Sequence, residues 1–183
     1  KKENLESTIS PLLGSMDDLH FDEESMDIIW SEWAIYNIGF ERGLKEWSKY
    51  IKQGGFVGVT ECCWLSDKLP SDTKWFTDNF MEINTIPNKL AILQHAGYEP
   101  TAQFILPNSC WIENYYIPMA KRIEEFAIEY KDNSFAEALL SNLNREIEYY
   151  NQFGSLYGYV FFIGQKVWYY FFFFFFYIII LFG

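Results

Sequence analysis

Strand-like and helix-like segments alternate along residues 9–166, and this alternation constrains the fold more than any other feature of the sequence. The apolar strand-like segments are ISPLLG (from residue 9), IIW within residues 27–31, FVGVTECCW (56–64), TAQFIL (101–106) and YGYVFFIGQK (157–166). We predict that the strand at 27–31 is buried. Such alternation is typical of α/β folds, in which right-handed crossovers place successive strands parallel. We predict a single α/β domain over residues 1–166, in which the last two strands can instead pair antiparallel as an edge.

The segments between these strands show helical patterns. ERGLKEWSKYIKQGG (41–55) has apolar residues at helical spacing and two terminal glycines that indicate a helix stop. PNKLAILQHAGY (87–98) begins with a proline near its first turn and ends at Gly97. A polar-aromatic excursion follows FVGVTECCW. Residues 108–153 contain an aromatic loop and two helical stretches, at about 118–131 and 134–152, and we predict that they form a helical insertion before the last strand.

Charge and cysteine content exclude several functional classes. The chain has a formal net charge of -11 and no clustered Lys/Arg face, which argues against nucleic-acid binding and electrostatic attachment to membranes. Its three cysteines, Cys62, Cys63 and Cys110, form no CxxC or Cys/His motif, so neither a zinc site nor a disulfide framework is expected. Reduced thiols suit a cytoplasmic protein. We expect a small-molecule substrate, no metal and possible homodimerisation.

The last seventeen residues, VWYYFFFFFFYIIILFG (167–183), differ from the rest of the chain. Three interpretations are open: a non-native end of the reading frame, a membrane tail anchor at the short limit for a spanning helix, or a packed strand extension. The first is favoured because a globular domain has no use for six consecutive phenylalanines. We therefore place the end of the domain at Lys166 and regard membrane attachment as a minor alternative.

Three sequence blocks carry a resemblance to a known family: GSMDDLHF (14–21), DIIWSEWAIYNIGFERGLKEWSKYIKQGGFVGVTE (27–61) and LAILQHAGYEP (90–100). In order and spacing they resemble strands three to six of class I S-adenosylmethionine-dependent methyltransferases. The nearest likeness is to the Bacteroides-type group related to the ubiquinone/menaquinone-biosynthesis methyltransferases. The resemblance implies a Rossmann-like sheet, S-adenosylmethionine as cofactor and methyl transfer to a small molecule.

The resemblance also implies roles for individual residues. Ser15, Met16 and Asp17 correspond to positions beside the adenine. Ser31 and Glu32 would approach the methionyl end of the cofactor. The positions implied to contact the acceptor, or to share the same sheet edge, are Tyr36, Asn37 and Glu61. The candidates for proton transfer are Glu32 and Tyr36. Trp33 stands where the family usually has a small residue, often glycine.

Aromatic residues are concentrated in the two excursions that follow the third and fourth strands: Trp64, Trp75, Phe76, Phe80, Trp111, Tyr115 and Tyr116. They have two interpretations, as lid packing or as an apolar or cation-binding pocket, because aromatic faces attract onium groups. Both can hold together. We predict that Trp64, Trp111 and Tyr115 contact the substrate.

The family's glycine-rich strand-turn-helix is not found before residue 9. We expect that the first two βα units are missing, roughly a hundred residues at ordinary element lengths. Two functional hypotheses follow. The chain is either a methyltransferase with impaired cofactor binding, or a non-catalytic fragment or degenerate chain that binds a partner.

Overall fold

The computed structural model describes residues 8–70 and 72–167. In those residues the strands are β1 (Met26–Ser31), β2 (Ile51–Trp64), β3 (Asn84–Thr85), β4 (Tyr98–Ile105) and β5 (Tyr157–Lys166). The α-helices are α1 (Phe40–Ser48), α2 (Thr73–Asn79), α3 (Ile86–His95), α4 (Asn108–Trp111), α5 (Ile117–Glu129) and α6 (Ser134–Phe153). A 3₁₀ turn spans Ile35–Asn37, and a π-helical turn, Ile112–Tyr116, joins α4 to α5.

The strands form one mixed sheet in the order β1-β2-β5-β4, with the short β3 paired to the far end of β2. β1 runs parallel to β2, whereas β5 lies antiparallel to both β2 and β4. The α/β prediction is confirmed, as is antiparallel pairing of the last two long strands. The final strand, however, lies inside the sheet, and β4 forms the edge.

One face of the sheet is covered by α1 and α3. Leu44 and Trp47 of α1 and Leu93 of α3 form a continuous buried cluster with Val57 of β2 and Phe162 of β5. Burial of these apolar side chains is the main force that holds the two helices on the sheet. This packing fixes the turn between β1 and α1 above the carboxyl ends of β1 and β2.

Aromatic rings dominate a second cluster, which joins the sheet to the helices between β4 and β5. Trp111 and Tyr150 from these helices pack with Phe76 of α2 and with Tyr157 and Tyr159 of β5. Helices α5 and α6 match the two helical stretches expected at about 118–131 and 134–152. Asn133 caps α6 by accepting hydrogen bonds from two backbone N–H groups. The cluster places α6 beside the β2–β5 end of the sheet.

Two strand predictions are corrected by the structure. Residues 9–13 belong to no strand, and the side chains of Ile9, Leu12 and Leu13 are exposed. No strand in the described part of the chain pairs with them, and Pro11 lacks the N–H that a ladder needs. β1 is a strand but not a buried one, because Ile28 is 50% exposed and Trp30 57% exposed on its uncovered face.

The glycines at 54 and 55 were predicted to end a helix, and this is wrong. Helix α1 ends at Ser48, and Gly54 and Gly55 lie within β2. The β1–β2 register jumps there, from Met26 opposite Ile51 to Ile28 opposite Phe56. Gly54 takes a φ of 77°, and a Cβ on Gly55 would lie 2.8 Å from the Asp27 carbonyl oxygen. The glycines therefore permit a bulge against β1.

Within residues 8–70 and 72–167, no helix has the length and apolarity that a membrane crossing requires. Apart from Val167, the aromatic segment 167–183 lies outside the described residues, so its three interpretations remain untested.

Candidate functional site

A cavity of about 420 Å³ lies between the carboxyl ends of β1 and β2 and the helices α2 and α6. Its volume lies within the usual range for small-molecule sites. The lining residues are Trp33, Tyr36, Asn37, Glu61, Cys62, Trp75, Asp78, Asn79, Phe80, Met81, Glu82, Trp111, Tyr115, Glu146 and Tyr159. Open α/β sheets bind ligands at this edge.

Trp33 forms one wall of the cavity and has an unusual backbone. Its φ is 55°, in the left-handed region that favours glycine. The Trp33 N–H donates a 2.8 Å hydrogen bond to Thr60 Oγ1, and the indole stacks on Tyr159 with centroids 4.3 Å apart. The backbone conformation accounts for a preference for glycine at this position, and the indole occupies space that a small residue would leave open.

Glu61 places a carboxylate at the base of the cavity. Its side chain is 3% exposed, and Oε1 accepts a hydrogen bond from Lys89 Nζ at 3.4 Å. Burial raises the pKa of Glu61 to about 7, although the Lys89 ammonium acts in the opposite direction. Oε2 is buried and has no hydrogen-bond partner among the described residues. An unpaired acceptor on a residue that lines a cavity is suited to a ligand's donor group.

Lys89 is almost fully enclosed beside the cavity without lining it. Its ammonium lies 3.9 Å from Glu82 Oε2 and 4.5 Å from the centre of the Phe40 ring. Glu82 also accepts a 2.6 Å hydrogen bond from the Phe40 N–H at the start of α1. These contacts hold Glu61 and Glu82 on the same side of the cavity.

A further acid enters the cavity from α6. Burial raises the pKa of Glu146, although the neighbouring hydroxyls of Tyr115 and Tyr116 oppose that rise. Asp78 of α2 lies near the mouth, where Lys74 binds it from outside at 2.7 Å. The cavity therefore receives carboxylates from β2, α2, the turn after α2, and α6.

The structure brings together most of the residues predicted to bind the substrate. Tyr36, Asn37, Glu61, Trp111 and Tyr115 all line the cavity. Trp64 does not line it and instead packs against Phe76, with centroids 5.1 Å apart. Trp64 is displaced because its side chain points from the far end of β2 towards α2.

The residues predicted to contact the cofactor are more scattered. Ser31 is buried at the end of β1, and its Oγ has no hydrogen-bond partner among the described residues. Glu32 accepts a 2.5 Å hydrogen bond from Trp30 Nε1 and lines a separate, shallow depression behind Trp33. Glu32 therefore lies outside the large cavity.

Ser15, Met16 and Asp17 lie on the outer side of α1. The Ser15 hydroxyl donates to Asp17 Oδ1 at 2.5 Å, and this bond lowers the pKa of Asp17. The Met16 carbonyl accepts a 3.0 Å hydrogen bond from the Trp47 indole. This segment is thereby attached to α1 and does not line the cavity.

Sequence reasoning missed several lining residues, including Asp78, Glu82, Glu146 and Tyr159. One signal was available for Glu146, which lies four residues before the buried Tyr150 on α6 and so shares its face. Asp78 and Glu82 gave no comparable signal, because α2 and the turn after it have no regular sequence period.

No protein-family model and no curated protein sequence matches the chain. A Galdieria sulphuraria protein, provisionally assigned as a sarcosine dimethylglycine methyltransferase, is 17% identical, with a TM-score of 0.71 over 91% of this chain and 62% of its own. The [4+2]-cyclase SpnF is 15% identical, with a TM-score of 0.68 over 91% of this chain and 58% of its own.

An S-adenosylmethionine-dependent methyltransferase from Geobacter sulfurreducens, in complex with S-adenosylhomocysteine, is 14% identical. It has a TM-score of 0.65 over 81% of this chain and 63% of its own. The chain thus spans about six-tenths of the length of these structures. The described residues have the Rossmann-like α/β fold that S-adenosylmethionine-dependent methyltransferases share.

Proposed function

We propose that the chain forms the acceptor-binding part of a class I S-adenosylmethionine-dependent methyltransferase that acts on a small molecule. The observation that carries the proposal is the aromatic cavity at the carboxyl edge of the sheet, with the buried Glu61 carboxylate at its base. The named methyltransferases among the structural neighbours support it. A relation to the Bacteroides-type and ubiquinone/menaquinone-biosynthesis group, and a cytoplasmic location, belong to the same proposal.

Two groups fit an adenosyl cofactor. The buried, unpaired Ser31 Oγ is a hydrogen-bonding group beside the β1 terminus, where the methionyl end would lie. The Ser15–Asp17 pair keeps a carboxylate ionised on an exposed segment, where it can accept a hydrogen bond from the adenine amine. When bound, S-adenosylmethionine supplies a methyl group on a positively charged sulfur.

The chain's own residues would orient the acceptor and exclude water. Trp33, Trp111 and Tyr159 close one side of the cavity with ring contacts of 4.3 to 5.1 Å. Such enclosure holds an acceptor in line with a methyl donor, which is the main requirement of this displacement. Of the carboxylates, Glu61 is better placed than Glu32 to take a proton, because only Glu61 faces the cavity. Tyr36 and Asn37 would contact the acceptor at the mouth.

Calorimetry with S-adenosylhomocysteine tests the proposal on the full chain. We expect weak but saturable binding, which Ser31→Ala weakens further, because the substitution removes a hydroxyl with no other partner. Ser134→Ala, at the start of α6, is the matched control and should leave the titration unchanged. No binding at a ligand concentration of about 1 mM, equivalent to an affinity below about 4 kcal/mol, would contradict the proposal.

The second candidate is a chain that binds another polypeptide without catalysis. One sheet face favours it, because Phe161 contacts the rings of both Trp30 and Phe104, with centroid distances of 4.6 and 5.3 Å, and Trp30 and Phe104 are at least half exposed. Exposed aromatic stripes of this kind mark interaction surfaces. Light scattering over a range of concentrations would detect self-association, such as a homodimer. Trp30→Ser should abolish it, whereas Phe135→Ser, at an exposed site on α6, should not.

A further inference from the structure

The cavity has an unbalanced set of charges. Four carboxylates line it, from Glu61, Asp78, Glu82 and Glu146, and no Lys, Arg or His is among its described lining residues. The nearest enclosed cation, Lys89, is shared between Glu61 and Glu82 and leaves Glu61 Oε2 without a partner. Lys74 pairs with Asp78 from outside the cavity, and Lys89 is shared by two acids, so four carboxylates face two cations. This excess of negative charge favours a cationic ligand over an anionic one.

The walls also suit a cation. Seven aromatic residues line the cavity: Trp33, Tyr36, Trp75, Phe80, Trp111, Tyr115 and Tyr159. Aromatic faces attract ammonium and other onium groups, and the attraction increases when water is excluded. Carboxylates with aromatic faces select for positive charge together with apolar bulk, a combination found in methylated amines.

We propose that the acceptor is a small amine whose ammonium group binds between Glu61 Oε2 and the aromatic walls of the cavity. This inference rests on the proposed function and specifies its substrate class. An ammonium N–H would donate to the carboxylate of Glu61, a lining residue whose buried Oε2 has no hydrogen-bond partner among the described residues. The N-methyl or methylene groups of the amine would lie against Tyr36 and Trp33.

Methyl transfer requires a lone pair on the acceptor nitrogen. The ammonium proton passes to Glu61 Oε2, and the nitrogen lone pair then forms the new bond to the methyl carbon. The carbon–sulfur bond breaks with its electron pair on sulfur, so the positive charge moves from sulfur to nitrogen. The product is again a cation, one methyl group larger, and faces the same aromatic rings.

Calorimetry on the full chain without cofactor tests the binding step. The probes are choline and its uncharged carbon isostere, dimethylbutanol, at about pH 8, where Glu61 is ionised. Choline has no titratable nitrogen and no N–H, so it measures the attraction of the carboxylate and the rings for positive charge and not the hydrogen bond to Glu61. We expect choline to bind at least about tenfold more tightly than dimethylbutanol. Equal affinities, or no choline binding, would overturn the inference.

Substitutions of Glu61 and Tyr36 locate the binding site. Glu61→Gln should weaken choline binding by about 30-fold or more, since it removes the buried charge partner, while the surface variant Glu46→Gln should leave it unchanged. The double variant Glu61→Gln/Lys89→Met avoids an unpaired buried lysine and should show the same loss. Tyr36→Leu should weaken binding by about 2- to 30-fold, and Tyr36→Phe, which keeps the ring, should restore it.

The methyltransferase proposal and the amine inference are contradicted by different results. Choline binding without S-adenosylhomocysteine binding supports the amine site and contradicts the methyltransferase. S-adenosylhomocysteine binding with no preference for choline over dimethylbutanol overturns the amine inference and leaves the methyltransferase standing. Choline binding that Glu61→Gln does not change also overturns it, because the cation then lies elsewhere.

Discussion

Replacement of Lys89 by methionine should destabilise the protein more at high pH than at low pH. Lys89 is 1% exposed and lies 3.4 Å from Glu61 Oε1, itself 3% exposed. At that distance the direct attraction is about 5 kcal/mol for an effective dielectric constant of about 20, before the cost of desolvation. Removal of one partner from a buried pair typically costs about 3–5 kcal/mol, because the other charge stays buried alone.

The pH dependence follows from the pKa of Glu61, which folding raises from 4.5 to about 7. A carboxyl group with a raised pKa does not lower the free energy of unfolding at pH values below its pKa in the unfolded chain. The loss of stability grows as the pH rises from the unfolded pKa towards the folded pKa, and it is complete above the folded value. Without Lys89 the folded pKa rises further. In Lys89→Met, Glu61 can escape an unpaired charge by taking up a proton, which one pH unit above its pKa costs about 1.4 kcal/mol. The free energy of unfolding should therefore fall by about 1.4 kcal/mol more at about pH 8 than at about pH 5, where Glu61 is already protonated in the folded protein.

Urea unfolding, followed by tryptophan fluorescence at both pH values, measures these changes. Lys45→Met on the exposed face of α1 is the matched control, and we expect little change there because its ion pair with Glu41 is solvated. The double variant Lys89→Met/Glu61→Gln should recover most of the stability, because no unpaired charge remains. An equal loss at both pH values, or no recovery in the double variant, would refute the reasoning.

Three further predictions follow from other features of the chain. Choline affinity, measured by calorimetry, should rise about 30-fold from about pH 5.5 to about pH 8 as Glu61 ionises. The titratable groups that face Glu61 are Lys89, Glu82, Cys63 and Tyr159. Glu61→Gln should remove this pH dependence. Trp33→Gly should be more stable than Trp33→Ala by about 1 kcal/mol in urea unfolding, since φ at residue 33 is 55°; the usual opposite order would contradict this. Asn133→Ala should lower the free energy of unfolding by about 1 kcal/mol, and Asn133→Ser by much less, because a serine can still cap α6.

Features with a regular period in the sequence were predictable. The 3.6-residue pattern of α1 and the uninterrupted apolar run of β2 identified both elements and the α/β class. The end of α1 was not predictable, because Gly54 and Gly55 read equally well as a helix stop or as a bulge. Only the register between Met26 and Phe56 distinguishes the two. The pairing of β2 with β1, which is distant in sequence, decides between these two interpretations, and the local sequence pattern does not.

The candidate site likewise contains some residues that could be predicted from the sequence and others that could not. Tyr36 and Asn37 were predictable because the family resemblance implies acceptor contacts at these positions, and Glu61 because it lies near the carboxyl end of a predicted strand. Asp78 and Glu146 were not, because the helices that carry them are oriented by aromatic packing rather than by strand pairing. The Trp75–Tyr149 stack, with centroids 4.2 Å apart, holds α2 against α6 and so brings both acids to the cavity.

The different structural origins of the lining residues affect which ligand the cavity can select. The sheet edge supplies Glu61, which sits in a strand and is paired with Lys89, so its position is fixed by the fold. The other acids and most of the rings come from the excursion after β2 and from the helices between β4 and β5, which sheet pairing does not constrain. Changes there can alter the shape and charge of the cavity without disturbing β1 and β2. If an amine is the acceptor, its size should depend on Trp75, Trp111 and Glu146, whereas its charge should depend on Glu61.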